Sequence, residues 1–175
     1  IFRLQEHIRR LFDSAKINLM TIPYTPAEID ASCLESLKRN HLAAGYVRPL
    51  AFIGDGAMGL HPGENPVRVA VIAWEWGKYL GDEGMAKGIR AKISTFARHH
   101  VNAKMTNGKT CGDYVNSILA KREVKARGFD EAMFTDDDGF VVECTGANLF
   151  MVRDGRVVDV KITDFGSVMQ LDAER

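Results

Sequence analysis

Eight consecutive residues, Val67 to Trp74 (VRVAVIAW), constrain the fold more than any other stretch. A run this short and nearly all apolar predicts a central strand covered on both faces. Tyr46 to Ile53 is a second β-rich run. Two helices are predicted ahead of these strands. Leu4, Ile8, Leu11, Phe12 and Ala15 recur at helical spacing, while Arg3, Glu6, Arg9, Arg10, Asp13 and Lys16 lie elsewhere, so Arg3 to about Ile17 reads as an amphipathic helix with Arg10 on its polar side. Thr25, Pro26 and Glu28 then form a capping box with proline at the first helical position. Ile29, Cys33, Leu34 and Leu37 carry that helix to a stop at Asn40. Helices and strands thus share one layer system.

At 175 residues, with 46% hydrophobic and 26% charged residues, the chain can bury a core as one domain or two small ones. Its 23 basic and 23 acidic residues cancel, which argues against a nucleic-acid or anionic-membrane partner and leaves a small molecule as the expected one. No apolar run approaches the roughly 18 residues a membrane span needs. Cys33, Cys111 and Cys144 are an odd set without CxxC spacing, so neither a disulfide framework nor a zinc site is expected, and a reducing cytoplasm is. No signal peptide is visible. A chain that begins at Ile1 without methionine also raises the expectation of a missing preceding segment.

Trp76 to Gly88 (WGKYLGDEGMAKG) is rich in glycine and poor in periodicity, which predicts a loop over 77–88 between a first domain, 1–76, and a second, 89–175. Beyond it the pattern predicts a strand near Ile89 to Phe96 and a helix from about Asp113 to Arg127, stopped by Gly128. Two hairpins should turn at Asp138-Gly139 and Asp154-Gly155. The run Phe140 to Phe150 (FVVECTGANLF) reads as hairpin as well.

Three residues of the second half could act together. Lys109 stands among Gly108, Thr110, Cys111 and Gly112, just ahead of a helix, with little bulk beside its amine. A loop lysine is ordinarily solvated and unreactive, and desolvation or a neighbouring cation would be needed to change that. Tyr114 lies in the first turn of that helix, where Val115, Ile118, Leu119 and Ala126 share its side, so it is expected to be packed. Glu143 alternates with Val142 and Cys144 and faces away from them, either into water or into a polar site that supplies a cation. A lysine to form an imine, with a tyrosine and a glutamate to tune a ring, is what a pyridoxal phosphate site uses.

Arg48 shares a strand face with Tyr46, Leu50 and Phe52, where a guanidinium needs an anion. That anion is either an acidic ligand or one of the chain's own carboxylates. Pro49 beside it implies an edge or bulge. Arg10, Trp76 and Tyr79 carry no signal of their own. ITDFGS at Ile162 to Ser167 has the look of a kinase metal-binding turn but lacks that family's other parts. His99 and His100 are adjacent and so point to opposite strand faces, and Asp136, Asp137 and Asp138 mark a turn rather than a calcium loop.

HIRRL with SAKI, YVRPL, WGKYLG, GKTCGDYVNSILAK and ECTGANLFMVRDG, in this order, resemble the branched-chain amino acid aminotransferases among the class IV, fold type IV, pyridoxal phosphate enzymes. The likeness runs from Ile1 to about Val158. It implies an α+β protein with a small α/β domain followed by the first part of a larger β-rich domain, truncated at both ends. It further implies pyridoxal 5'-phosphate as cofactor, transamination between Leu, Ile or Val and 2-oxoglutarate, and a homodimer or higher homo-oligomer for the full-length protein, while the residues themselves suggest no metal. By the same resemblance Lys109 is the lysine that carries the cofactor and moves the proton, Tyr114 the tyrosine near the ring oxygen, and Glu143 the acid at the ring nitrogen. Arg10 matches the phosphate-cup arginine. Tyr46, Arg48, Trp76 and Tyr79 match the substrate side, with Arg48 the partner of glutamate's distal carboxylate. Departures include Thr110-Cys111 and Asp113 in place of smaller or neutral residues, Ala147 where a glutamate is common, and a tail from Lys161 to Arg175 without the family's proline-containing run. Competing readings are a noncatalytic fragment or pseudoenzyme that binds a partner, a D-amino acid aminotransferase, or an aminodeoxychorismate lyase.

Overall fold

The computed structural model describes residues 1–77 and 81–158. The chain divides into two compact units, Ile1–Tyr79 and Leu80–Arg175. Tyr79 and the tail from Lys161, with its ITDFGS turn, lie outside the described residues.

The first unit runs α1 (Leu4–Ile17), α2 (Pro26–Arg39), β1 (Tyr46–Ile53) and β2 (Val67–Trp74). The expected capping box is present, with the Glu28 N–H donating to Thr25 Oγ1 at 3.3 Å and the Thr25 N–H donating to Glu28 Oε2 at 2.7 Å. Asn40 caps the C-terminus. Leu4, Ile8, Ile29 and Cys33 form the core, and Val47, Val69 and Val71 pack against it. β1 and β2 are antiparallel, with Val47 opposite Ala73 and Pro49 opposite Val71. Period-two alternation therefore sends 47, 49, 51 and 69, 71, 73 toward the helices and Tyr46, Arg48, Ile72 and Trp74 to the other face. This corrects the expectation for VRVAVIAW. Among the described residues β2 pairs only with β1, helices cover a single face, and Ile72 remains 46% exposed. Apolar residues on both faces imitate a doubly covered strand when one face is merely left open. Pro49 does fall on an edge strand, since among the described residues β1 pairs with β2 alone.

The second unit opens with α3 (Gly81–Lys87) and β3 (Ala91–Ile93). A helix stands where a loop was expected over 77–88. Asp82 and Glu83 in its first turn and Lys87 in its last suit the helix dipole, and Lys87 reaches Glu83 at 3.0 Å, offsetting the glycines. β3 is also shorter than the predicted strand near Ile89 to Phe96. A 3₁₀ turn (Cys111–Asp113) leads into α4 (Tyr114–Ala126), and β4 (Glu131–Thr135), β5 (Val141–Cys144), β6 (Met151–Arg153) and β7 (Arg156–Val158) follow. β3 and β4 are parallel, β4 and β5 antiparallel, and β4 is central. Phe140 to Phe150 is thus one strand followed by a bend, not a hairpin. The two expected turns do form, with positive φ at Gly139, Asp154 and Gly155.

α4 buries Ser117, Ala120 and Val124, small side chains at helical spacing that let it sit close to Ala132, Phe134 and Val142. Its opposite side, Val115, Ile118 and Leu119, is exposed, and Tyr114 is 40% exposed rather than packed. Volume explains the difference, because the short residues fit against the sheet where the long ones cannot.

Glu131, 2% exposed, anchors the end of β4. It accepts from Lys121 Nζ at 2.6 Å and from the Thr145 hydroxyl, tying α4 to the residue after β5. Burial pushes its carboxyl up, but the bonds from Lys121, Thr145 and the Ala132 N–H outweigh burial and hold it below its usual range. Lys121→Met should therefore destabilise the unit by about 3 kcal/mol, measured by urea unfolding, because it strands a buried charge. A depressed carboxylate contributes stability in full above its ordinary value of 4.5 and loses it as pH falls through the lower folded value. The deficit of the variant should accordingly shrink toward zero on acidification.

Candidate active site

The second unit brings Lys109, Tyr114 and Glu143 to one pocket of about 160 Å³, whose wall also includes Arg98, Asp113 and Gly146. Lys109 lies ahead of the 3₁₀ turn, and α4 begins at Tyr114, so the sharp entry folds the five-residue interval back on itself. Lys109 Nζ donates to Tyr114 Oη at 2.6 Å. Thr110 Oγ1 donates to Asp113 Oδ1 at 2.7 Å, and Lys104 pairs with the same carboxylate. Burial pushes the Asp113 carboxyl up, whereas Lys104 and Thr110 pull it below the usual carboxylate range. The lysine loop is thus pinned by a charge that Lys104 balances.

Glu143 enters from β5, opposite Phe134. Its fate settles the choice between water and a polar site, since Arg98 Nε lies 2.6 Å from Oε1. The segment after β3 continues along β4, with the Ser94 N–H donating to Met133 O at 2.9 Å and the Arg98 N–H to Thr135 O at 2.7 Å. Asn116 Nδ2 on α4 also donates to Ala97 O at 2.9 Å. Burial raises the Glu143 carboxyl above its usual range, and Arg98 and Lys109 bring it back only in part. Cys144, beside it and buried, is pushed up to about 11 by burial, so it is an inert thiol at neutral pH.

The first unit carries a separate cluster. Tyr46 and Trp74 face each other across β1 and β2 with centroids 4.8 Å apart, and Trp76 lies 4.9 Å from Tyr46 and 5.4 Å from Trp74. The Arg48 guanidinium sits 5.4 Å from both the Tyr46 and Trp74 ring centres. Among the described residues Arg48 meets no carboxylate, so the aromatic faces take the place of the internal ion pair. Arg10 is half-buried on α1.

Sequence reasoning misses Arg98, Trp74 and the Lys104 to Asp113 pair. Arg98 has the parity of Lys92, Ser94 and Phe96 along the predicted strand, two residues past its expected end, and that alternation is the available signal. Trp74 reads as strand filling in the sequence.

A family model for class IV amino-transferases matches residues 1–164. The branched-chain-amino-acid aminotransferase of Pseudomonas aeruginosa is 44% identical over 163 residues, 93% of this chain and 53% of that protein. The solved T.th. branched-chain amino acid aminotransferase, complexed with N-(5'-phosphopyridoxyl)-L-glutamate, superposes with a TM-score of 0.79 at 43% identity, covering 89% of this chain and 50% of the other. That of Escherichia coli superposes with a TM-score of 0.86 at 37% identity over 89% and 52% of the two chains. The mixed helix and sheet architecture is therefore that of the fold type IV aminotransferases. The chain belongs to the class IV amino-transferase family, and it spans about half the length of the relatives it matches.

Proposed function

We propose that the protein carrying this chain is a branched-chain amino acid aminotransferase, exchanging the amino group of Leu, Ile or Val with 2-oxoglutarate and using pyridoxal 5'-phosphate. The observation that carries the reading is the common pocket of Lys109, Tyr114 and Glu143. The donor set suits that cofactor, because it offers an amine, a phenol and a partly buried acid, one for each of its aldehyde, ring oxygen and ring nitrogen. Lys109, Tyr114 and Glu143 would hold these groups, and Arg10 the phosphate. When bound, the cofactor supplies an aldehyde carbon and an electron-withdrawing ring.

The chain's own groups do the rest. Lys109 Nζ would hold the cofactor through its aldehyde carbon, and the same amine would serve as the base and acid that moves the proton at the substrate Cα. Tyr114 Oη, hydrogen-bonded to that nitrogen, orients it. Glu143, as a carboxylate, would face the ring nitrogen and favour its protonated form. On the substrate side Tyr46 and Trp76, with Tyr79 by family likeness, supply apolar walls for a branched side chain. Arg48, over the Tyr46 and Trp74 rings, would pair with the distal carboxylate of glutamate. The phosphopyridoxyl-glutamate of the T.th. relative supports glutamate as one of the two substrates. We also place the protein in the cytoplasm as a homodimer. No helix among the described residues is long and apolar enough to cross a membrane.

Borohydride treatment of the whole protein with pyridoxal phosphate should fix the pyridoxyl group onto Lys109, read by peptide mass spectrometry. A panel of leucine, D-alanine and aminodeoxychorismate should give turnover with leucine. Absence of label at Lys109 would overturn the reading, and partner capture without label would favour a noncatalytic binding module instead.

A further inference from the structure

Arg98 is in direct contact with Glu143, at 2.6 Å, and both side chains line the pocket that holds Lys109. Its side chain is 13% exposed and that of Glu143 32%, so the pair is largely withdrawn from solvent screening. The sheet fixes the contact. Arg98 hangs from β4 through the Thr135 carbonyl, while Glu143 pairs with Phe134 from the other side of the same strand.

A carboxylate and a ring nitrogen that share one proton divide it according to their relative basicity. Resting on the cofactor reading above, we propose that Arg98 is a positioning residue that keeps this shared proton on the ring nitrogen by making Glu143 the weaker base. The titratable groups that act on Glu143 are Arg98, Lys109, Asp113 and His99. Asp113 opposes the ionised form, yet Lys104 balances it from its own side. Burial also opposes it, and Arg98 is the largest influence in the other direction. Without the guanidinium the partly buried acid would reclaim the proton, and the ring would be left neutral and poorly electron-withdrawing. Because Arg98 touches the carboxylate itself, its field acts more strongly on Glu143 than on a ring held beyond it.

The test uses the whole protein loaded with pyridoxal phosphate isotopically labelled at the ring nitrogen, read by nitrogen NMR. The unsubstituted protein should show the pyridinium resonance at neutral pH. Arg98→Met and Arg98→Gln should move it to the position of a hydrogen-bonded neutral pyridine, with kcat lowered about tenfold or more for one unit of altered basicity. Arg98→Lys, which keeps the charge, should retain most of the pyridinium signal and guards against a simple folding defect. An unchanged pyridinium resonance in the Met and Gln variants would overturn the proposal and leave Arg98 a structural brace. If the unsubstituted protein takes up no labelled cofactor at Lys109, the functional reading fails and this inference with it, a result distinct from the first.

Discussion

Lys109→Ala should abolish the proposed transamination in the whole protein, lowering kcat at least about 10⁴-fold, because the proposed function gives one side chain both the anchoring of the cofactor and the proton transfer. The variant should fold normally. Lys109 is exposed, and the hydrogen bond to Tyr114 Oη joins two residues of which the second is also exposed, so stability should change by less than about 1 kcal/mol. Lys109→Arg separates charge from chemistry, since it restores a cation beside Tyr114 but no amine that can form an imine at neutral pH. It should be as inactive as the alanine variant. Small primary amines added to Lys109→Ala should return part of the proton transfer without restoring attachment. Steady-state assays with leucine and 2-oxoglutarate measure all three, and an alanine variant with a tenth of normal activity would remove the lysine from the mechanism.

The way the chain could and could not be read follows from the range of each signal. The capping box at Thr25 and the turns at Gly139 and Gly155 are local chemistry, and each stands where expected. The strands Tyr46–Ile53 and Val67–Trp74 were legible to the residue. What the strands face was not, because side-chain character cannot tell a covered apolar face from one left open. The same ambiguity misplaced Tyr114, whose apolar companions stay outside while Ser117 and Ala120 go in. Arg98 illustrates the deeper limit. Its meaning depends on Glu143, forty-five positions later and on the far side of β4, and only sheet pairing joins them. Glycine content, finally, hid α3, since Asp82, Glu83 and Lys87 supply its helix through charge placement rather than apolar periodicity.

Glu143→Gln is expected to lower kcat about 10²- to 10³-fold, the scale on which loss of a single preorganised electrostatic partner acts. Glutamine fills the same space and can accept from Arg98, but it cannot hold a proton on a ring nitrogen as a carboxylate does. The pH dependence makes the assignment specific. Burial raises the Glu143 carboxyl above its ordinary value of 4.5, so activity in the unsubstituted protein should rise as pH climbs through that elevated value, and the limb should vanish in the glutamine variant. Stability should move the other way. A carboxyl whose folded value is raised stabilises the fold below its unfolded value and loses that contribution as pH rises through the folded one, so at neutral pH the charge of Glu143 works against folding rather than for it. Removing the charge should leave neutral-pH urea unfolding within about 1 kcal/mol of the original, despite the lost activity. A residue that a fold retains against its own stability, in a pocket with an amine and a phenol, is best explained by the charge it must present to a ligand. A glutamine variant equally active across the pH range would remove that explanation.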